Sequence, residues 1–403
     1  MAAHASARTE TGPAPEAERL LLVSAGMGAG HDSVAAELAR RARAVGREAQ
    51  VVDVLELLPR GLGAGLRGFY GTCVRRAPWA YGALYHLLFR PGRGRRPNAV
   101  PLARLAADAF MTSVHRSRCD LVVPVFHLAA QLTGELRATG VLRVPSTVVI
   151  VDFAVHRQWL HPGNDLHLCV SDDAARQVRR WLGGPAETVG PVVDPRFFGG
   201  GTATGADTSR ERAGRPGTGR PAVLVSAGAW GVGSDLPATA GLLVERGFRP
   251  VVLSGHNERL RRALARIPGV AAPGWVTDMP RLLRGCAAMV DNAAGQTAVQ
   301  ALAAGVPVVA YRPLPGHGEQ GVRRMAALGL CDLAADATGL VDSLDRLTGP
   351  GPERARRIAA GHAAFRDDLL ARVLARPGPR PSPRPGPRRS PRPGPRPGQG
   401  PSS

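Results

Sequence analysis

Residues 291–321 read DNAAGQTAVQALAAGVPVVAYRPLPGHGEQG and decide the fold of the chain. The apolar residues 287–290 just before them predict a buried strand. Thr297 then opens a helix that ends at Gly305, and residues 308–311 predict a second buried strand, which runs into a loop rich in Pro and Gly. Parallel sheets bind ligands at the carboxyl ends of their strands, and a helix N-terminus attracts phosphate. The stretch therefore predicts one wall of a ligand-binding cleft in an α/β protein.

The N-terminal part of the chain opens with a similar unit. Residues 20–25 predict a buried strand, residues 26–32 (GMGAGHD) a Gly-rich turn and residues 33–45 a helix. The turn lacks the Lys-Ser/Thr pair of a P-loop and the glycine spacing of a dinucleotide fingerprint. His31 stands where the helix begins, and a helix N-terminus disfavours a protonated imidazole. We therefore expect His31 to be neutral near pH 7 and able to accept a proton, unless it only caps its own helix.

The two units predict two α/β domains in series, each opening with a strand and a Gly-rich turn. The second domain begins with a strand at residues 222–226 and a turn at residues 228–233. A ligand would lie between the domains, facing both sets of strand ends. The predicted divisions are a disordered N-terminus (1–18), an N-terminal Rossmann-like domain (19–198), a linker (199–220), a C-terminal Rossmann-like domain (221–350), a C-terminal helix (351–376) and a disordered Pro/Arg/Gly tail (377–403).

The composition bears on the location of the chain and on its ligands. The net charge is +20, and all 52 basic residues are Arg, whose planar fork suits phosphate oxygens. No apolar run reaches the roughly 18 residues that a membrane-spanning helix needs, and residues 1–18 lack the apolar core of a signal peptide. We therefore expect a cytoplasmic protein. The five cysteines are scattered, which favours buried free thiols over a zinc site or a disulfide framework.

Residues 62–89 are apolar and aromatic, and they lead into a basic run at residues 90–96. Aromatic side chains beside a basic cluster suit an anionic membrane surface, so we expect peripheral association with the inner face of the cell membrane. A helical hairpin packed against its own domain is the alternative interpretation. The tail at residues 377–403 is rich in Arg but has no interleaved aromatic side chains, so specific binding of nucleic acid is not expected.

Residues 152–161 (DFAVHRQWLH) place polar and aromatic side chains just after a predicted strand. Asp152 and His156 could orient a base or hold hydroxyl groups of a ligand, and Trp159 could stack on a ring. His156 and His161 have a spacing seen in zinc sites, but no carboxylate lies in helical phase with them, so no metal is expected. Simple packing of the loop is the alternative interpretation.

Four motifs occur together and in order: His31 in its Gly-rich turn, Asp152-Phe153-x-x-His156-x-x-Trp159, Gly190-Pro191-Val192, and residues 291–321. In this combination the chain resembles the monogalactosyldiacylglycerol synthase and processive diacylglycerol glucosyltransferase family, over about Leu20 to Leu370. The family is related to the lipid II-forming N-acetylglucosaminyltransferase. The resemblance implies the GT-B fold, which is α/β with two Rossmann-like domains whose parallel sheets face a central cleft.

The resemblance also implies an activity. It is that of an inverting glycosyltransferase that moves galactose or glucose from a UDP-hexose to a lipid acceptor, diacylglycerol above all. The donor would be held by the C-terminal domain and the lipid by the N-terminal one. No metal and no prosthetic group are implied, because helix dipoles and Arg or hydroxyl donors stabilise the leaving diphosphate.

Single residues receive roles from the same resemblance. His31 would be the general base on the acceptor hydroxyl, with Asp152 and His156 on the acceptor side of the cleft. The residues implied to contact the UDP-sugar or to lie beside it are Gly28, Gly30, Trp159, Gly228, Gly231, Gly233, Asn257, Gly274, Trp275, Val276, Ala294, Gly295, Gln296, Thr297, Gln300, Pro315, Gly316, Glu319 and Gln320.

The chain departs from the family's pattern within residues 291–321. Gln300 stands where the family carries a Glu that holds the ribose hydroxyls, so the charge-assisted hydrogen bond is lost and weaker donor binding is expected. Residues 315–321 (PGHGEQG) lack the Asn that ends the family's loop, and residues 291–294 replace its Lys-x-Gly-Gly lead-in. Two alternatives therefore stand beside the lipid hypothesis. One is transfer to a secondary metabolite or a cell-wall lipid, and the other is binding of a nucleotide sugar without turnover.

Overall fold

A computed structural model describes residues 17–76, 82–83, 99–199, 219–366, 369–375 and 377. The predicted disordered N-terminus and tail, most of the predicted linker and the aromatic segment beyond residue 76 lie almost wholly outside the described residues. The described chain forms two α/β domains, each built on a parallel sheet.

The N-terminal domain is built on six parallel strands. They are β1 (Arg19–Ser24), β2 (Glu48–Asp53), β3 (Leu121–Pro124), β4 (Thr147–Ile150), β5 (Leu166–Cys169) and β6 (Ala186–Thr188). They pair in the orders β2-β1-β3 and β4-β5-β6, and an isolated parallel bridge between Val122 and Ser146 links the two groups. The strands β1, β3, β4 and β5 are almost wholly buried, which agrees with their apolar and β-branched composition.

Helices cover the sheet of the N-terminal domain. They are α1 (Ala29–Ala44), α2 (Leu62–Arg76), α3 (Val100–Arg104), α4 (Ala107–Ser117), α5 (His127–Ala138) and α6 (Asp172–Leu182). α1 directs Val34, Leu38 and Ala42 into the core beneath β1 and β3, at the spacing expected of an amphipathic helix. α1 and α5 begin directly beyond the carboxyl ends of β1 and β3, which places both helix N-termini at the same edge of the sheet.

The C-terminal domain has a five-stranded parallel sheet in the order β11-β10-β9-β7-β8. The strands are β7 (Ala222–Ser226), β8 (Arg249–Leu253), β9 (Ala288–Asp291), β10 (Val308–Tyr311) and β11 (Cys331–Ala334). The helices are α7 (Leu236–Glu245), α8 (Glu258–Leu264), α9 (Met279–Arg284), α10 (Gln296–Ala303), α11 (His317–Ala327), α12 (Ala337–Thr348) and α13 (Pro352–Ala363). The strand-helix-strand unit predicted from residues 291–321 is confirmed as β9-α10-β10, but its final residues open α11 instead of forming a loop.

The apolar residues within 189–197 predict a strand that leads out of the N-terminal domain, and this prediction is wrong. The chain makes only the short strand β6 and then runs without ladder pairing to a 3₁₀-helix at Pro195–Phe197, whose N-terminus is capped by Asp194. Two prolines, Pro191 and Pro195, cannot donate to a ladder, and Gly190 adopts a positive φ of 75°. The apolar run therefore packs as irregular chain between the domains.

One of the hydrophobic clusters spans both domains. Phe153, Val193 and Phe197 from the N-terminal domain pack in the same buried cluster as Ala298 and Leu302 of α10. Burial of a Phe, Val or Leu side chain contributes on the order of 1.5–3 kcal/mol. The domains consequently meet in a packed interface beneath the cleft.

The last described helix returns to the N-terminal domain. The predicted single helix at the C-terminus is instead two helices, α13 and α14 (Leu369–Leu374). Leu369, Val373 and Leu374 are buried in the core that holds Leu22 of β1, and the N–H of Ala17 donates to the carbonyl of Leu374 at 2.9 Å. Along the described stretches, no helix combines the length and the apolar character needed to cross a membrane.

Candidate active site

A cavity of about 1100 Å³ lies between the two domains. The carboxyl ends of β1, β3 and β4 border it on one side, and those of β7, β8 and β9 border it on the other. This is the position in which parallel α/β sheets bind their ligands.

His31 lies in the first turn of α1 and lines this cavity. Its Nδ1 is 2.9 Å from the carbonyl oxygen of Val125, beyond the end of β3. A carbonyl can only accept a hydrogen bond, so Nδ1 carries the proton and Nε2 presents its lone pair. The imidazole is thus anchored to the neighbouring strand and not to its own helix, in the tautomer that a general base needs.

The surroundings of His31 favour its neutral form. Burial lowers the pKa of His31 below its usual 6.5, although the Asp152 carboxylate opposes that shift. The ring of Phe126 meets the imidazole edge to face, with 5.0 Å between the ring centroids. A neutral imidazole at physiological pH can accept a proton from a hydroxyl group.

Trp159 lies behind the cavity wall, and this corrects the prediction that it stacks on a ligand. Its side chain is 0% exposed and belongs to a buried cluster with Ile150 and Val155. Its Nε1–H donates to Oδ2 of Asp152 at 2.6 Å. Trp159 therefore positions the Asp152 carboxylate, which does line the cavity.

His317 contributes a second contact to Asp152, and the sequence analysis did not single it out. It is the first residue of α11, and its Nε2 lies 3.2 Å from Oδ1 of Asp152 in the other domain. Burial opposes protonation, but Asp152 raises the pKa of His317 above its usual value. Burial opposes ionisation of the Asp152 carboxyl, but His317 holds the pKa of that carboxyl well below its usual range. The pair is thus an ion pair that joins the two walls of the cleft.

Two further histidines lie near Asp152. Nε2 of His156 lies 3.6 Å from Oδ2 of Asp152, and His127 meets His156 edge to face at 5.1 Å between ring centroids. Burial lowers the pKa of His127 to about 3, and burial with His127 nearby lowers that of His156. Both rings are therefore neutral at physiological pH. His161 does not join them, because its Nε2 lies 3.5 Å from Glu135 on α5.

The turn before α10 forms the opposite wall and is held by the buried Asp291. Oδ2 of Asp291 accepts the backbone N–H groups of Ala293 and Ala294, at 3.0 and 2.6 Å. Ala294 adopts a left-handed φ of 53°, a conformation that L-residues other than Gly, Asn and Asp seldom adopt. The turn thereby directs the N-terminus of α10 at the cavity, which suits an anionic group.

The two Gly-rich turns approach one another across the cleft. A Cβ at Gly30 would lie 3.3 Å from Cβ of Gln296, and the Gln296 amide donates to the carbonyl of Val192 at 2.7 Å. Nε1–H of Trp230, in the C-terminal turn, donates to the carbonyl of Met27 at 2.5 Å. Its indole packs on α2 at Gly71, where a Cβ would lie 2.4 Å from the ring. Trp230, which sequence analysis did not select, thus fixes the spacing of the two turns.

Most of the predicted contact residues border the cavity. They are Gly28, Gly30, His31, Asp152, His156, Gly228, Gly274, Trp275, Val276, Ala294, Gly295, Gln296, Thr297 and Gln300. Trp275 is 52% exposed and stacks on His256, with the ring planes 7° apart and the centroids 4.2 Å apart. The stacked rings of His256 and Trp275 lie at one end of the cavity, where residues 274–276 form its wall.

The other predicted contact residues do not line the cavity, so, apart from that of the buried Trp159, their contact with a UDP-sugar stays a prediction. They are Trp159, Gly231, Gly233, Asn257, Pro315, Gly316, Glu319 and Gln320. Asn257 caps α8 through Leu260 N–H and donates to the carbonyl of Gly231, so it supports the turn from behind. Glu319 lies in the first turn of α11 and pairs with Arg323, because the predicted loop is helical.

The part of the cavity nearest α2 and α3 is apolar. It is lined by Leu55, Leu66, Phe69, Tyr70, Val74 and Leu102. Phe69 is largely exposed, so this wall continues onto the protein surface. An apolar group of a ligand would be accommodated here, next to His31.

The fold and the cleft are those of the GT-B glycosyltransferases, as predicted. The solved glycosyltransferase SnogD from Streptomyces nogalater aligns with a TM-score of 0.52 and 16% identity, over 89% of this chain and 99% of SnogD. A variant of Os79 from O. sativa, solved in complex with UDP, aligns with a TM-score of 0.58 and 15% identity, over 89% and 99% of the two chains.

The family comparison confirms the resemblance inferred from the motifs. Residues 31–192 match the model of the monogalactosyldiacylglycerol (MGDG) synthase family, a narrower span than the motifs suggested. A processive diacylglycerol beta-glucosyltransferase of Bacillus cytotoxicus is 26% identical over 217 residues, which are 51% of this chain and 53% of the relative. The chain thus spans about half the length of the curated relatives that it matches. These relatives and structural neighbours are glycosyltransferases.

Proposed function

We propose that the chain is an inverting glycosyltransferase that moves a hexose, galactose or glucose, from a UDP-sugar to a lipid acceptor, diacylglycerol above all. One observation carries the proposal. The Nδ1–H of His31 is engaged by Val125, so Nε2 is a proton acceptor between an apolar wall and the N-terminus of α10. The family match and the names of the relatives support the same reaction class.

The reaction follows from the positions of these groups. An acceptor hydroxyl gives its proton to Nε2 of His31 while its oxygen attacks the anomeric carbon. The bond from that carbon to the UDP oxygen breaks in the same displacement, and the electron pair leaves with UDP. The backbone N–H groups and dipole at Gly295 and Thr297 stabilise the departing diphosphate. Asp152 remains ionised and stabilises the imidazolium that forms on His31.

The donor would lie along the C-terminal wall. Its uracil would lie against residues 274–276, its ribose near Gln300 and its diphosphate between Gly228 and Gly295, all of which border the cavity. No metal is invoked for this step. The Os79 structure, in complex with UDP, shares this fold.

The acceptor would lie along the N-terminal wall. The apolar lining at Leu66, Phe69 and Val74 suits acyl chains, and Arg75 and Arg76 end the same helix. Exposed aromatic and basic side chains on one helix suit an anionic membrane surface. We therefore include peripheral association with the inner face of the cell membrane in the proposal.

UDP release tests the proposal directly. Purified protein would be incubated with a panel of UDP-sugars, with and without vesicles of diacylglycerol and anionic lipid. We expect release of UDP from UDP-galactose or UDP-glucose that depends on diacylglycerol, together with a lipid-linked hexose. Turnover with a soluble acceptor but not with the vesicles would reject the lipid acceptor.

The pH profile provides a second prediction. Because burial lowers the pKa of His31 below 6.5, its imidazole stays neutral where an ordinary histidine is already protonated. We expect kcat/KM to remain level as the pH falls through 6.5 and to decline only at lower pH. An acid limb with its midpoint at or above pH 6.5 would contradict the assignment of His31 as the base.

Gln300 provides a third prediction. It is half-buried on α10 and lines the cavity. We expect Gln300→Glu to tighten UDP binding by roughly five- to tenfold, because a carboxylate makes a stronger hydrogen bond to ribose hydroxyls than an amide. Titration calorimetry would measure this, with Gln50→Glu on exposed β2 as a control that adds the same charge elsewhere. A Gln300→Glu variant with neither tighter UDP binding nor any turnover would favour the non-catalytic alternative.

A further inference from the structure

Three metal-ligating side chains meet on the cleft wall although they come from both domains. Asp152 and His156 follow β4, whereas His317 opens α11. Nε2 of His317 is 3.2 Å from Oδ1 of Asp152, and Nε2 of His156 is 3.6 Å from Oδ2. One donor atom from each of the three lies within 4.8 Å of the other two.

These spacings are close to those of a metal centre. Zinc binds imidazole nitrogen and carboxylate oxygen at about 2.0–2.2 Å in a tetrahedron, which separates neighbouring donor atoms by roughly 3.3 Å. Bringing the three groups onto one ion therefore requires small side-chain rotations. Two imidazoles and one carboxylate are a common zinc donor set, and such a set leaves a fourth position open. Here all three residues line the cavity, so the fourth position faces its interior.

The surrounding groups also support coordination. Ligating carboxylates are usually held by an outer hydrogen bond, and the Nε1–H of Trp159 already donates to Asp152 at 2.6 Å. Among the five free cysteines, Cys119, Cys169, Cys286 and Cys331 are buried and do not line the cavity, whereas Cys73 of α2 lines it outside the cluster of Asp152, His156 and His317.

We propose that Asp152, His156 and His317 form a binding site for a Zn²⁺-class divalent cation that bridges the two domains. The site is distinct from the sequence-based pairing of His156 with His161, since His161 contacts Glu135 instead. In the absence of the cation, His317 and Asp152 make the ion pair described above. Binding replaces the direct contact between His317 and Asp152 and ties α11 to the loop after β4.

A bridging cation has a structural consequence. Because two ligands belong to one domain and the third to the other, the ion binds the arrangement in which the two domains are packed together. It therefore stabilises the folded protein by mass action and raises the unfolding temperature. The proposal does not depend on the glycosyltransferase function, because metal binding is measured without any sugar donor.

Cobalt spectroscopy provides the test. The full chain, stripped with a chelator, would be titrated with Co²⁺, whose visible bands report ligand type and coordination number. We expect one Co²⁺ per chain with a four-coordinate nitrogen and oxygen spectrum, displaced by Zn²⁺. His317→Gln should weaken binding by at least about 100-fold, since it removes a ligand, and His156→Gln should do the same. His115→Ala, on the exposed face of α4, should bind as the unaltered protein does.

Three results would overturn the site. They are no saturable binding to the unaltered protein, equal affinity in the His317→Gln variant, or a thiolate charge-transfer band that assigns the ion to cysteine. Circular dichroism would establish that each variant is folded. His317 is partly exposed at the start of a helix, so its substitution leaves the core intact. Metal binding and UDP release are separate measurements, so failure of one proposal is distinguished from failure of the other.

Discussion

His31→Ala is expected to lower kcat/KM for sugar transfer by roughly 10²–10⁴-fold while the affinity for UDP stays unchanged. The substitution removes the only proton acceptor that the proposed reaction assigns to the acceptor hydroxyl. UDP is proposed to lie against the other domain, so its binding does not involve the imidazole. UDP release from the donor would measure transfer, and titration calorimetry would measure binding.

A matched variant separates the base from a structural role. His31→Gln can keep a hydrogen bond to the carbonyl of Val125, because its amide nitrogen also donates, but it cannot take up a proton near neutral pH. It should lose as much activity as His31→Ala does. His115→Ala on exposed α4 should retain full activity. Substantial turnover by His31→Gln would show that His31 only supports the turn.

Trp159→Ala is expected to lower the free energy of unfolding by about 3–5 kcal/mol. The side chain is fully buried, so its removal leaves a cavity and deprives the ionised Asp152 of a hydrogen bond. Urea unfolding followed by circular dichroism would measure the loss. Trp159→Phe should cost less, because it fills most of the volume and removes only the hydrogen bond.

Trp181 provides the control for Trp159, since both lie in the N-terminal domain. It is 39% exposed on α6, and Trp181→Ala should change the free energy of unfolding by no more than about 1 kcal/mol. If Trp159→Ala and Trp181→Ala had the same free energy of unfolding, the burial of Trp159 would contribute nothing to stability. Its role as the residue that positions Asp152 would then need another explanation.

Local patterns predicted the elements of the fold well. β7 and β10 begin and end where their apolar, β-branched runs do, and the Gly-rich turn after β1 carries His31 into the cleft. These features depend on residues adjacent in sequence. The strand expected over residues 189–197 does not form. Its prolines cannot donate to a ladder and Gly190 has a positive φ, so the segment stays irregular although it is apolar.

The parts of the site that sequence reasoning missed depend on contacts between distant segments. Trp159 and Trp275 are both aromatic residues predicted to contact the UDP-sugar, yet one is fully buried and the other is half exposed. Their neighbours decide this, and those neighbours come from other elements. His317 becomes important only because α11 delivers it to Asp152 of the other domain. In the sequence, the one feature that pointed to His317 as a site residue was its position after β10 in a Pro/Gly-rich stretch.

Because α14 packs against the N-terminal domain, that domain can complete its core only after the C-terminal domain has been synthesised. During synthesis, residues 17–192 leave the ribosome well before Leu369, Val373 and Leu374, whose side chains complete the core around Leu22. The first domain therefore has an uncovered apolar face while the whole second domain is being made. Domains usually fold as units as they emerge, and uncovered apolar faces attract chaperones and neighbouring chains. In this protein the first domain to be made is the last to be completed.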